Sequence, residues 1–107
     1  MGDRLYGLLG LARKAGRVTF GNDAVLKEIS GGRAALVVLA DDASPRTVKN
    51  ITEACGRTGT GVITLPLDKT ALGSAIGRGE TAVAAVSDKA FSAGILEICR
   101  NITGGIC

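Results

Sequence analysis

The stretch Ala34 to Ala40 (AALVVLA) is apolar without interruption, and a run of that kind is what a central strand carries when both of its faces are covered. The rest of the chain supplies the cover, because stretches with helical spacing of apolar residues alternate with short apolar runs. That alternation predicts an α/β fold, a three-layer α/β/α sandwich with about four strands in a mixed sheet and about five helices.

The first helix is expected over roughly residues 3 to 15, with Leu5, Leu8, Leu9 and Ala12 in one apolar stripe and Gly16 as its C-terminal cap. Val18 to Phe20 read as a very short strand. Gly21-Asn22-Asp23 opens a second helix that Asn22 or Asp23 can cap, that buries Val25, Leu26 and Ile29, and that Gly31-Gly32 stops. Ser44-Pro45 starts a third helix, the hydroxyl accepting an orphan amide hydrogen bond and the proline pre-set for the first helical position. Its inward face is assigned to Val48, Ile51, Thr52 and Cys55. Val62 to Leu65 form the next strand, Asp68 caps a short helix through Leu72, Ala75 and Ile76, and Thr81 to Val86 form the last strand. Asp88 then starts a final helix with Phe91, Ile95, Ile98 and Ile102 at core spacing, and the tail Gly104 to Cys107 is expected to fray.

At 107 residues the chain is long enough for one hydrophobic core and too short for two, so residues 1–107 are expected to form one domain. Hydrophobic residues at 46% against charged residues at 21% place it with folded chains. Aromatics make up only 3% (Tyr6, Phe20, Phe91), which argues against rows of stacking platforms for single-stranded bases. No signal peptide or membrane-length apolar run is apparent, so a cytoplasmic protein without membrane contact is expected. Cys55, Cys99 and Cys107 lie far apart with no CxxC pair, and there is no histidine. Buried or terminal reduced thiols are expected, with no metal and no cofactor. A net charge of +3 permits a polyanionic partner without demanding one.

The common catalytic and nucleotide motifs fail on their physics. The glycines of Gly7-Leu8-Leu9-Gly10 sit inside an apolar helix stripe, and Gly59-Thr60-Gly61 precedes a strand, whereas a dinucleotide loop must follow a strand and open a helix. No Walker sequence is present, and without histidine the Ser-His-Asp and Cys-His arrangements are impossible. Asp41 and Asp42 are adjacent at a strand end and point different ways, which favours capping over acid-base work. An enzyme is therefore not expected. Phe20 to Lys27 gathers polar groups, a lysine and exposed amides at one helix N-terminus, a place that suits a phosphate. By physics alone, however, Asp23 and Lys27 also make an ordinary i,i+4 helix pair, and Arg78-Gly79-Glu80-Thr81 is a solvated connection.

Several strings, in order, resemble the superfamily of kink-turn-binding ribosomal proteins, with the small bacterial homologues of the YlxQ type as the nearest branch. They are Leu8 to Gly16, Gly21 to Lys27, Gly32 to Pro45, and Leu72-Gly73-Ser74-Ala75-Ile76-Gly77, which is similar to the family's LGxAxG. The resemblance implies a non-catalytic protein, expected to be monomeric, that binds structured RNA: an internal loop or kink-turn, including one in ribosomal RNA. In the family's G-x-N-E-x-x-K, the Asn and Glu read tandem G·A pairs and the Lys supports the backbone, while the loop before the last strand covers an extruded nucleotide. Counted from Gly21, the Asn position is Asp23, the Glu position is Ala24 and the Lys is Lys27. Asn22 falls one place early and can swing into the missing amide's role. The apolar residue usual after LGxAxG is Arg78, followed by Gly79 and Glu80, and Val48 matches an apolar contact position.

The RNA-binding residues implied are thus Gly21, Asn22, Asp23, Lys27, Val48, Arg78, Gly79, Glu80 and Thr81, with Arg13, Lys14 and Arg17 extending the basic face. A carboxylate at position 23 accepts hydrogen bonds but cannot donate, and Ala24 does neither through its side chain. The second reading is therefore a protein-interaction module of the same fold that docks on a ribosomal or RNA-processing partner.

Overall fold

Five helices, α1 (Gly2–Lys14), α2 (Asn22–Ser30), α3 (Pro45–Thr58), α4 (Lys69–Ala75) and α5 (Lys89–Ile102), alternate with β1 (Val18–Phe20), β2 (Leu36–Leu39), β3 (Gly61–Thr64) and β4 (Val83–Val86). They are seen in a computed structural model that describes residues 2–102. The strands form one mixed sheet in the order β1-β4-β2-β3. β4 lies antiparallel to both β1 and β2, and β2 runs parallel to β3. Ala84 faces Phe20 on one side and Val38 on the other, so β4 sets the register of the central pair and of the short edge strand together.

Strand alternation sends successive side chains to opposite faces, and the two cores follow from it. Leu36, Val38, Ala84 and Val86 pack with Leu5, Leu9 and Ala12 of α1, Leu72 and Ala75 of α4, and Ile95 and Ile98 of α5. Val37, Leu39, Val83 and Ala85 pack on the other side with Val25 and Ile29 of α2 and Ile51, Ala54 and Cys55 of α3. All four residues of β2 are buried, as the unbroken apolar run requires. Burial pushes the Cys55 thiol up from its ordinary range, in keeping with a reduced, unreactive side chain. No helix among the described residues is long and apolar enough to cross a membrane.

The expected caps are largely in place. Ser44 accepts from the Thr47 amide at 3.2 Å, with Pro45 in the first turn, and Asp68 accepts from the Ala71 amide at 2.8 Å. Asp88 accepts from the Phe91 amide at 3.0 Å. Asp42 is also a cap, but of α4: its Oδ1 accepts from the Lys69 amide at 2.8 Å. Three details differ from expectation. Neither Asn22 nor Asp23 caps α2, whose N-cap is Gly21 with no side-chain hydrogen bond. Thr52 is exposed, because Ile51, Ala54 and Cys55 already fill the inward stripe of α3. The ladder of β4 begins at Val83, since the Thr81 amide turns to donate to the Lys69 carbonyl at 3.0 Å. The Ile102 side chain and the tail Gly104 to Cys107, Cys107 included, lie outside the described residues.

Two glycines decide the shape of the end of the molecule where β1 leaves the sheet and β4 enters it. Gly21 has φ 92° and ψ 148°, a conformation that L side chains rarely adopt. Gly73 is buried under the loop that precedes β4, and a methyl group there would collide with the Gly79 carbonyl. The Arg78 amide donates to the Gly73 carbonyl at 2.7 Å, so the loop is bonded to the residue it covers.

Gly73→Ala should lower stability by about 1–3 kcal/mol through overpacking, and Gly21→Ala by about 1–3 kcal/mol through backbone strain. Urea midpoints at unchanged m-value check both. A midpoint for Gly73→Ala equal to that of the parent would mean that the loop is not held against α4.

Candidate functional site

The antiparallel pairing of β1 with β4 places the end of β1 beside the start of β4. The Gly21 amide donates to the Val83 carbonyl at 3.3 Å, which fastens the start of α2 to the segment that leads into β4. Around this junction lies a shallow cavity of about 130 Å³, to which Phe20, Gly21 and Asn22 contribute from one side and Arg78, Glu80 and Thr81 from the other. Thr47 adds a wall from the first turn of α3. The two segments singled out in the sequence, far apart in the chain, thus form one surface.

The expected residues are not equivalent within it. Asn22 is exposed and lines the cavity, whereas Asp23, the aligned position, is exposed but does not line it. Lys27 lies farther along α2 and faces a different concavity of about 330 Å³ shared with Ala54, Arg57 and Thr58 of α3. Asp23 and Lys27 do not pair, since among the described residues the only ion pair joins Arg33 and Glu28 at 2.6 Å. Val48 is half-buried against the α2/α3 core. Gly79 belongs to the backbone that rests on Gly73. Thr81 is only 5% exposed, and its hydroxyl donates to the Gly79 carbonyl at 3.0 Å, so it closes the loop beside the cavity.

Sequence reasoning passed over Phe20 as a site residue. Its ring lies under the Arg78 guanidinium, with Cζ 4.0 Å from the centroid, and Arg13 from the last turn of α1 approaches the same ring at 5.1 Å. The available signal was the position of a rare aromatic directly before Gly21, together with an arginine where the family pattern has an apolar residue. Chemically, the cavity offers the Arg78 guanidinium, an amide able to donate and accept, a carboxylate and the free amides at the start of α2. A larger concavity of about 440 Å³ opens between α1 and α5, lined by Leu8, Leu11 and Ile98 with Arg4 and Glu97. It touches none of the expected residues, and polar groups do not converge on it. Size is therefore a poorer guide here than the convergence of donors and acceptors.

The chain is similar to known proteins over most of its length. The chain is 40% identical over 91 residues, covering 81% of it and 86% of the relative, to the RNA-binding protein YlxQ of Bacillus subtilis (strain 168). A solved structure of a protein with unknown function from Bacillus halodurans C superposes with a TM-score of 0.85 at 32% identity, over 90% of this chain and 96% of that one. The Giardia lamblia 15.5kD RNA binding protein superposes with a TM-score of 0.77 at 26% identity, over 98% of this chain and 89% of that one. Residues 3–97 match the Ribosomal protein L7Ae/L30e/S12e/Gadd45 family, and the chain belongs to that family.

Proposed function

We propose that this chain is a non-catalytic RNA-binding protein that grips a folded RNA, of the kink-turn or internal-loop kind, with the start of α2 and the loop before β4. The observation that carries the reading is the convergence of Gly21 and Asn22 with Arg78, Glu80 and Thr81 around one cavity. Support comes also from the names of its relatives, YlxQ and the Giardia protein, both described as RNA-binding. Gly21 has no atom within 4 Å of where a Cβ would stand, so its backbone is open to close approach.

In this reading the roles shift by one residue from the family pattern. Asn22, which faces the cavity, supplies the amide that donates to one base edge and accepts from another. Asp23, just outside it, accepts from a guanine amino group. Lys27, in no ion pair among the described residues, meets a backbone phosphate along α2. Glu80 accepts N–H groups, Arg78 donates, and Thr81 holds the loop that carries them. A ribosomal RNA segment is within the class of ligands expected, and the binding unit is one copy of the chain.

Two measurements test the proposal. Titration against a kink-turn duplex, the same duplex with its G·A pairs replaced, and a plain duplex should give tightest binding to the first. The preference should be about tenfold or more, since each bidentate base contact contributes roughly 1–3 kcal/mol. Equal, weak binding to all three would favour the protein-interaction reading instead. Lys27→Ala should weaken binding to every duplex alike and reduce the slope of log K against log salt by about 1. An unchanged slope would take Lys27 out of the interface.

A further inference from the structure

Arg13 and Arg78 come from different elements, α1 and the loop before β4, yet both guanidinium groups sit on the ring of Phe20, at 5.1 and 4.0 Å from its centroid. Two like charges gathered around one ring repel, and no carboxylate among the described residues pairs with either of them. Glu80, two positions from Arg78 and lining the same cavity, leaves it unpaired. What holds the pair together is the electron-rich face of the ring, which attracts a guanidinium lying over it. Stacking occupies a flat face and leaves the N–H donors at the edge of each group available.

The mounting restricts movement on both sides. Phe20 packs against the core under α1 and α4 while its strand is paired to β4. Arg78 leaves a loop bonded through its own amide to Gly73 and closed by the Thr81 hydroxyl. Two positioned, unneutralised guanidinium groups on one ring, of which Arg78 lines the cavity, form an anion site, and phosphate is the anion whose geometry suits several guanidinium donors at once. The adjoining cavity, about 130 Å³, is well below the roughly 300 Å³ at which pockets enclose a free small ligand. In the RNA-binding reading that phosphate belongs to a backbone lying across the surface.

We infer that Phe20 is a positioning residue that clamps Arg13 and Arg78 onto a single RNA backbone phosphate, so that the bound strand continues from the start of α2 past the end of β1 onto the last turn of α1. This rests on the RNA-binding reading and extends its footprint to α1 and the turn after it, where Lys14 and Arg17 are also exposed.

The test measures affinity against salt concentration for the kink-turn duplex. Wild type is compared with Arg13→Gln, Arg78→Gln, the double variant, Phe20→Leu and Phe20→Tyr, and circular dichroism checks that each is folded. Each single arginine variant should lower the salt slope by up to about 1, which shrinks the loss of affinity between 50 and 200 mM salt by about three- to fourfold. The double variant should lose little more than the weaker single, because both groups serve one phosphate. Phe20→Leu should reproduce the lower slope although it removes no charge, and Phe20→Tyr should restore it. A wild-type slope in Phe20→Leu would overturn the clamp, as would a double variant whose losses are the sum of the singles. Should Phe20→Leu fail to fold, the comparison of the arginine singles with the double still decides. Absence of salt-dependent binding by the wild type to any duplex would remove the RNA-binding reading itself, and the clamp with it.

Discussion

The antiparallel pairing of β4 with β1 is the contact on which the candidate site of this molecule depends. Only because β4 runs back along β1 does the end of β1 meet the segment entering β4, and only there can the Gly21 amide reach the Val83 carbonyl at 3.3 Å. A parallel arrangement would have sent the loop before β4 to the opposite end of the sheet. The same strand pairs with β2 and is buried at every position from Val83 to Val86, so the junction is anchored in the interior. The exposed residues around the cavity are therefore displayed by a sheet that has little freedom to rearrange.

Local features of the fold are legible in the amino-acid sequence, and long-range ones are less so. Ser44, Asp68 and Asp88 can be recognised as caps because each bond they make is closed within three residues. The unbroken run around Leu36 to Leu39 declares its own burial. Asp42 shows where local reasoning stops, since its partner is the Lys69 amide, reached only after α3 and β3 have folded between them. The same limit explains Phe20. Nothing near it in the chain indicates that Arg78 will lie 4.0 Å from its ring, and the strand order β1-β4-β2-β3 that brings them together is not encoded in any short string. Asn22 and Asp23 do not cap α2 for a different reason: the glycine before them takes the N-cap position, with no side-chain hydrogen bond.

Family membership explains the framework and leaves the site's chemistry open to variation. The LGxAxG-like string is a packing device here, because Gly73 must lack a side chain for the Gly79 carbonyl to lie over α4. It governs where the loop runs and says nothing of what the loop carries. At Arg78 an apolar contact has been replaced by a cation, and at positions 23 and 24 the pattern's amide and carboxylate have become Asp23 and Ala24. These changes move donor capacity from the helix to the loop. The helix now offers one amide side chain, at Asn22, and the loop supplies a guanidinium with several N–H groups.

A shift of that kind has a consequence for how specificity and affinity are divided. Amide side chains and carboxylates set against base edges discriminate between sequences, while guanidinium groups on phosphates add affinity that salt screens and that sequence hardly touches. On the proposed function, a site with fewer of the former and more of the latter would recognise the shape of a folded backbone more than the identity of its pairs. In the proposed reading Phe20 bears on that balance, because a loosely tethered arginine contributes charge alone, whereas one laid on a ring in a paired strand would select where a phosphate sits. Positioned charge of this sort can distinguish a sharply bent RNA from a straight one even when few bases are read directly.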